Sequence, residues 1–225
     1  MIREQTKPAL SDPRHPLPRR HGATPAVIGL IAVCTTVELV LQGADHRLWG
    51  SVLWRGMAYQ YGGFWPGLLH DWQPNFRFQA VLMFGTHGFL HAGLGHLVGN
   101  MVTLAVLAQR MPRRVTTTGF LALYAMSMLG GAAGFALLPH GASPVVGASG
   151  AIFGVAGALT WQDVTQRQHG GGRRLALILA GLIVLNLVTW ALQGGNLAWQ
   201  AHLGGFLTGF AAMAAYPRLL AKIRS

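Results

Sequence analysis

The octapeptide Gly147-Ala148-Ser149-Gly150-Ala151-Ile152-Phe153-Gly154 places one hydroxyl at the mouth of an apolar, glycine-lined run. A serine in that setting could act as a nucleophile. Gly147 permits backbone geometry that a residue with a Cβ resists, and Gly150 clears space beside Ser149, so a carbonyl could approach the hydroxyl and the local amides. If Ser149 opens a helix, its N–H is one of the unpaired donors of the first turn, and the helix dipole favours an oxyanion beside it. The competing reading is packing, since Gly, Ala and Ser are the usual contact residues between membrane helices.

A serine hydroxyl needs a base within hydrogen-bond reach. Ala201-His202-Leu203-Gly204-Gly205-Phe206-Leu207-Thr208-Gly209 offers one in His202, about one turn into its own apolar run. Gly205 and Gly209, four apart, present a flat face for close approach to Gly150, Gly154 and Gly157, which would bring His202 to the depth of Ser149. No carboxylate stands ready as a third member. Asp163 is about 21 Å down the same helix as Ser149, and Asp45 and Asp71 belong to a separate loop. A Ser-His dyad is therefore expected, with Phe153, one turn after Ser149, either orienting the imidazole by ring stacking or packing in the core. His96 and Asn100, spaced i and i+4, share a helix face and could hold the negative oxygen of a tetrahedral intermediate together with the Ser149 N–H. His87 and His91, one and two turns nearer the outer end, suit ordering of water or of the first loop. With His96 they could instead ligate a metal, as in a transporter, but no H-E-x-x-H and no acidic or cysteine ligand at fixed spacing supports it. No metal or cofactor is expected.

These groups must be positioned by membrane helices. The chain has 225 residues, 52% hydrophobic and 10% charged, where soluble domains carry roughly 25% charged residues. The net charge of +11 does not signal nucleic acid, because the basic residues cluster between apolar runs rather than forming a stripe on a polar surface. Cys34, the single cysteine, lies inside an apolar run and reads as a small core residue. Residues 1–24, rich in Pro, Arg and His, read as a disordered basic tail and not a signal peptide. Residues 25–217 read as one six-span domain with apolar runs at 26–41, 80–108, 115–138, 149–161, 175–192 and 198–216. The stretch 43–79, dense in Trp, Tyr and Phe with scattered Arg, suits a loop lying in the membrane interface. Residues 218–225 form a short tail. Glu38, near the far end of the first span, is expected to pair inside the bundle or reach water.

Lys and Arg number five, three, three, none, three, none and three in the successive gaps, so alternate gaps hold fourteen of the seventeen. That distribution predicts cytoplasmic termini and places the start of the Ser149 helix just below the outer surface.

His91, His96 and Asn100 in His-Ala-Gly-Leu-Gly-His-Leu-Val-Gly-Asn, the Gly-Ala-Ser-Gly at 147–150, and Ala201-His202 with Gly205 and Gly209 together resemble the rhomboid intramembrane serine proteases. The three motifs fall in the family's order, on the second, fourth and sixth spans, and the likeness covers about 84–216. It implies an all-α membrane protein, a six-transmembrane-helix bundle of rhomboid type. It also implies that Ser149 is the nucleophile, His202 the general base and acid, and His96, Asn100 and the Ser149 amide the oxyanion hole. The family's substrates are single-span membrane proteins whose helices unwind near small or helix-destabilising residues and enter laterally past the second and fifth spans. Membrane lipid is then a partner, nucleic acid is not, and the oligomeric state is unspecified. The short termini and lack of a transit peptide point to a bacterial inner membrane. Many bacterial relatives carry a Trp-Arg pair just before the first histidine of the second span; here Trp54-Arg55 lies far upstream in a long loop. A non-enzymatic relative that binds membrane helices is the alternative, and loss of the serine or base would mark it; both are present.

Overall fold

The structure is a computed structural model that describes residues 23–138, 141, 143–165 and 197–223, with isolated helical positions between 173 and 184; in the last stretch side chains are described through 216. The N-terminal tail before residue 23 and the loop 166–172 lie outside the described residues, as does most of the fifth span expected at 175–192. Seven α-helices are described: α1 Thr24–Asp45, α2 Trp54–Gly62, α3 Gln79–Thr86, α4 Leu94–Ala108, α5 Thr117–Leu137, α6 Ser149–Thr165 and α7 Trp199–Ile223. Two 3₁₀ turns, Pro66–Leu69 and His87–Phe89, stand among them.

Local chemistry accounts for several ends. Proline in the first turn starts α1. Arg47, at a φ of +58°, stops it, while the Leu48 N–H reaches the Gly43 carbonyl at 2.8 Å to close the last turn. The Thr116 hydroxyl caps α5 by accepting from the Gly119 N–H at 3.0 Å. α7 runs past the expected end of the sixth span at 216, because charge ends an apolar run without ending a helix, and residues 219–223 are good helix formers.

The run at 80–108 is not one straight span. It breaks into α3 with its 3₁₀ turn and α4, bent by 80°. Gly93 makes the break, with a φ of +101° just before α4. Hydropathy is continuous across it, so the periodicity carried no warning. His91 accordingly sits on the break and His87 on the 3₁₀ turn before it, neither on the helix of His96, which corrects their placement one and two turns along it.

α1 and α5 are each long and apolar enough to cross a membrane, and the bent pair makes a third if taken as one span; these counts concern the described residues. α2, with nine residues, is too short to cross. α6 occupies the centre: every residue from 150 to 160 is buried, the pattern of a helix enclosed on all sides. It packs against α4, α5 and α7, while α1 covers α4 and α5. Leu30, Cys34, Leu104, Phe120, Ile152 and Val155 belong to the shared core. The contact of α6 with α7 is made by backbone. A methyl group on Gly205 would strike the Gly150 carbonyl, and one on Gly209 the Gly154 carbonyl.

Gly209→Ala should therefore push α6 and α7 apart and destabilise the fold by about 1–3 kcal/mol. Gly29→Ala, inside α1 where no atom lies within 4 Å of the added carbon, should hold or slightly raise the unfolding midpoint in detergent, since alanine is the better helix former. Equal midpoints for the two variants would contradict this account of the interface.

Candidate active site

Ser149 is the first residue of α6, and the chain reaches it through Gly147, whose φ of +123° is strongly unfavourable for any residue with a Cβ. The Gly147 N–H donates to the His87 carbonyl at 2.9 Å, and Val145 exchanges hydrogen bonds with Phe64 at 2.9 and 3.0 Å. Phe64 is fully buried. The turn before Ser149 is thus pinned by the 3₁₀ turn His87–Phe89 on one side and by the long first loop on the other. The sequence pattern offered no signal for either contact, since both join residues far apart in the chain.

His202 Nε2 lies 2.9 Å from Ser149 Oγ. The imidazole stacks on Phe153, with ring centroids 4.2 Å apart and planes within 1° of parallel. One helix therefore carries both the hydroxyl and the ring that sets the plane of its partner, one turn apart. His202 is buried and Ser149 half-buried. Gly150, Gly205 and Gly209 carry no chemistry of their own; they allow the backbone approach that closes this distance.

His96 and Asn100 project from α4 toward the same turn. A methyl on Gly147 would lie 2.7 Å from His96 Cε1, 3.0 Å from His96 Nε2 and 3.8 Å from Asn100 Nδ2. His96 Nδ1 accepts from the Ala92 N–H at 3.2 Å. In a neutral imidazole that leaves the proton on Nε2, the edge facing Gly147. Asn100 Nδ2 donates to the His96 carbonyl at 3.0 Å, which holds the amide nitrogen toward the site and leaves its second N–H for another acceptor. The Ser149 N–H, at the start of α6, adds a backbone donor and the positive end of a helix dipole. A hydroxyl hydrogen-bonded to a buried imidazole, beside several convergent donors, is equipped for acyl transfer.

His91 is fully buried and meets His96 edge to face, with centroids 5.3 Å apart. His87 Nδ1 is engaged by the Met83 carbonyl at 2.7 Å. Among the described residues no three His, Cys, Asp or Glu side chains converge to hold a metal ion, so His87, His91 and His96 do not form the cluster that the sequence left open. Glu38 is buried and paired with Arg55 at 2.9 Å. Arg55, in the first loop, is a partner that no local pattern in the sequence marks, since seventeen Lys and Arg could pair with Glu38.

The Rhomboid domain family matches residues 79–218. RHOMBOID-like protein 5 of Arabidopsis thaliana is 37% identical over 124 residues, which is 54% of this chain and 40% of the relative. The Rhomboid protease GluP of Bacillus subtilis is 33% identical over 127 residues, 56% of this chain and 24% of the relative. Rhomboid-like protease 1 of Toxoplasma gondii is 31% identical over 187 residues, 80% of this chain and 57% of the relative. The chain thus spans from about a quarter to somewhat over half the length of these relatives.

The hydrogen bond from Ala92 fixes a tautomer that can be read directly. In histidine-labelled protein, ¹⁵N shifts of His96 should show a protonated Nε2 and a bare Nδ1 at neutral pH; a protonated Nδ1 would contradict the donor geometry.

Proposed function

This chain belongs to the rhomboid family, and on that premise we propose that it is an intramembrane serine endopeptidase in which Ser149 is the nucleophile and His202 the base. Its apolar helices and its family make it an integral membrane protein. The observation that carries the proposal is the 2.9 Å approach of His202 Nε2 to Ser149 Oγ at the first turn of α6. Relatives named as rhomboid proteases support the reaction class.

In the proposed mechanism His202 takes the Ser149 proton as the hydroxyl attacks the scissile carbonyl. The oxyanion accepts hydrogen bonds from the Ser149 N–H, His96 Nε2 and Asn100 Nδ2. His202 then gives its proton to the leaving amine, and water, activated by the same imidazole, hydrolyses the acyl-enzyme. Phe153 orients His202 where a carboxylate would in a triad, and His91 supports His96. The substrates on this reading are single-span membrane proteins, entering from the lipid and cut near the outer face. Cytoplasmic termini complete the proposal, on the distribution of Lys and Arg.

The test is cleavage of a single-span model substrate by protein reconstituted in liposomes. Wild type should cut it, Ser149→Ala and His202→Ala should not, and Asn100→Ala should lower kcat/KM by about 10- to 100-fold as one donor of several. Full cleavage by Ser149→Ala would overturn the assignment, and a folded wild type that cuts nothing would favour a helix-binding relative without catalysis.

A further inference from the structure

Between the 3₁₀ turn and α4 the chain passes through residues 90–93 with no helix of its own, and Gly93, at a φ of +101°, has no Cβ to restrict its backbone. This short segment sets two things at the site: where α4 begins, and where the Ala92 N–H meets His96 Nδ1. Something must hold it. The His91 carbonyl, at its middle, accepts from Arg55 Nη1 at 2.9 Å and from the Tyr59 hydroxyl at 2.8 Å. Both donors come from α2, more than thirty residues upstream.

Arg55 is itself anchored. Its Nε donates to Asp45 at 2.6 Å, its Nη2 to Glu38 Oε1 at 2.9 Å, and its Nη1 also reaches Glu38 Oε2 at 3.1 Å and the Tyr59 oxygen at 3.3 Å. Gln42 Nε2 adds a donor to Glu38 at 2.9 Å. Burial opposes the charge on Arg55, yet the hydrogen bonds to Glu38, Tyr59 and Asp45 outweigh it and move its pKa upward. An ion pair with one partner buried and the other half-buried is an inefficient source of stability, because desolvation offsets much of the attraction. What the pair adds here is a guanidinium held rigidly enough to aim one more N–H at His91. A lysine could not do this, since a single ammonium cannot span Asp45, both Glu38 oxygens and the carbonyl in one plane.

We propose that Arg55 and Tyr59, anchored by Glu38, form a clamp on the His91 carbonyl that positions His96 as an oxyanion donor; the kinetic consequence, though not the clamp itself, rests on the protease reading above. These are positioning residues, since none of them touches the reacting atoms. The clamp links the first span and the first loop to the catalytic end of α4.

Tyr59→Phe removes one donor and leaves the ring and the ion pair; Arg55→Lys keeps the charge and loses the fork. Hydrogen exchange at the Ala92 amide reads the clamp whether or not the protein cleaves anything. Tyr59→Phe should accelerate that exchange at an unchanged unfolding midpoint, and Arg55→Lys should do so more strongly. In the cleavage assay Tyr59→Phe should lower kcat by about three- to tenfold with little change in KM. In a His96→Ala background it should lower kcat no further, because residues acting through a common partner are not additive. Unchanged Ala92 protection in both variants would overturn the clamp, as would a kcat loss that is the same with and without His96. A wild type that cleaves nothing would overturn the protease reading alone, and the exchange data would still decide the clamp.

Discussion

The close passage of α7 across α6 is the constraint on which the rest depends. Helices that bury ordinary side chains between them lie 8–10 Å apart. Here the glycines at 205 and 209 let backbone meet backbone, and side chains on the two helices come within hydrogen-bond reach at their shared end. His202 sits one helical turn before Gly205 and Ser149 immediately before Gly150, so the glycine contact and the 2.9 Å Ser149–His202 contact belong to one packing event. In a bilayer, where apolar area gives little reason for one helix to prefer another, packing of small residues supplies the specificity. Activity on the proposed reading is therefore sensitive to any change that thickens this seam, even where it touches no reacting atom.

The second requirement is a rigid frame around Ser149 that is not helical. The residues before α6 turn through Gly147, and a turn without its own secondary structure needs partners for its polar groups. They come from His87, in the 3₁₀ turn before the break of the second apolar run, and from Phe64, in the first loop. The first loop thus braces the site in two places, through Phe64 onto Val145 and through α2 onto His91. Its aromatic surface stays exposed in part, with Trp49, Trp54 and Trp72 each at least 39% accessible, which suits a segment resting in the interface.

The sequence made the meeting of Ser149 and His202 legible, because two small-residue faces at like depth are a local pattern that repeats every helical turn. His96 and Asn100 were legible on the same grounds, as an i, i+4 pair on α4; their chemical roles are the proposal. The 80° break after Phe89 was not legible. Hydropathy averages over side chains and carries no record that Gly93 turns the backbone, so the pattern alone puts His91 on the helix of His96, which it does not share. Nor was the reach of Arg55 legible. Trp54-Arg55 looked remote from the second apolar run, yet a helical segment of nine residues folds it back onto His91. Contacts between distant segments leave no periodicity to read, and buried charge is the one local hint, present here as Glu38 in an otherwise apolar run.

The central claim is that a serine within the bundle is activated by the imidazole against it, and covalent labelling tests it without any knowledge of substrate. The purified protein in detergent would be treated with a fluorophosphonate and the adduct located by peptide mass mapping. The account predicts one adduct, on Ser149, absent from a folded His202→Ala variant. Labelling at another residue, or labelling of Ser149 that persists at full rate without His202, would contradict it.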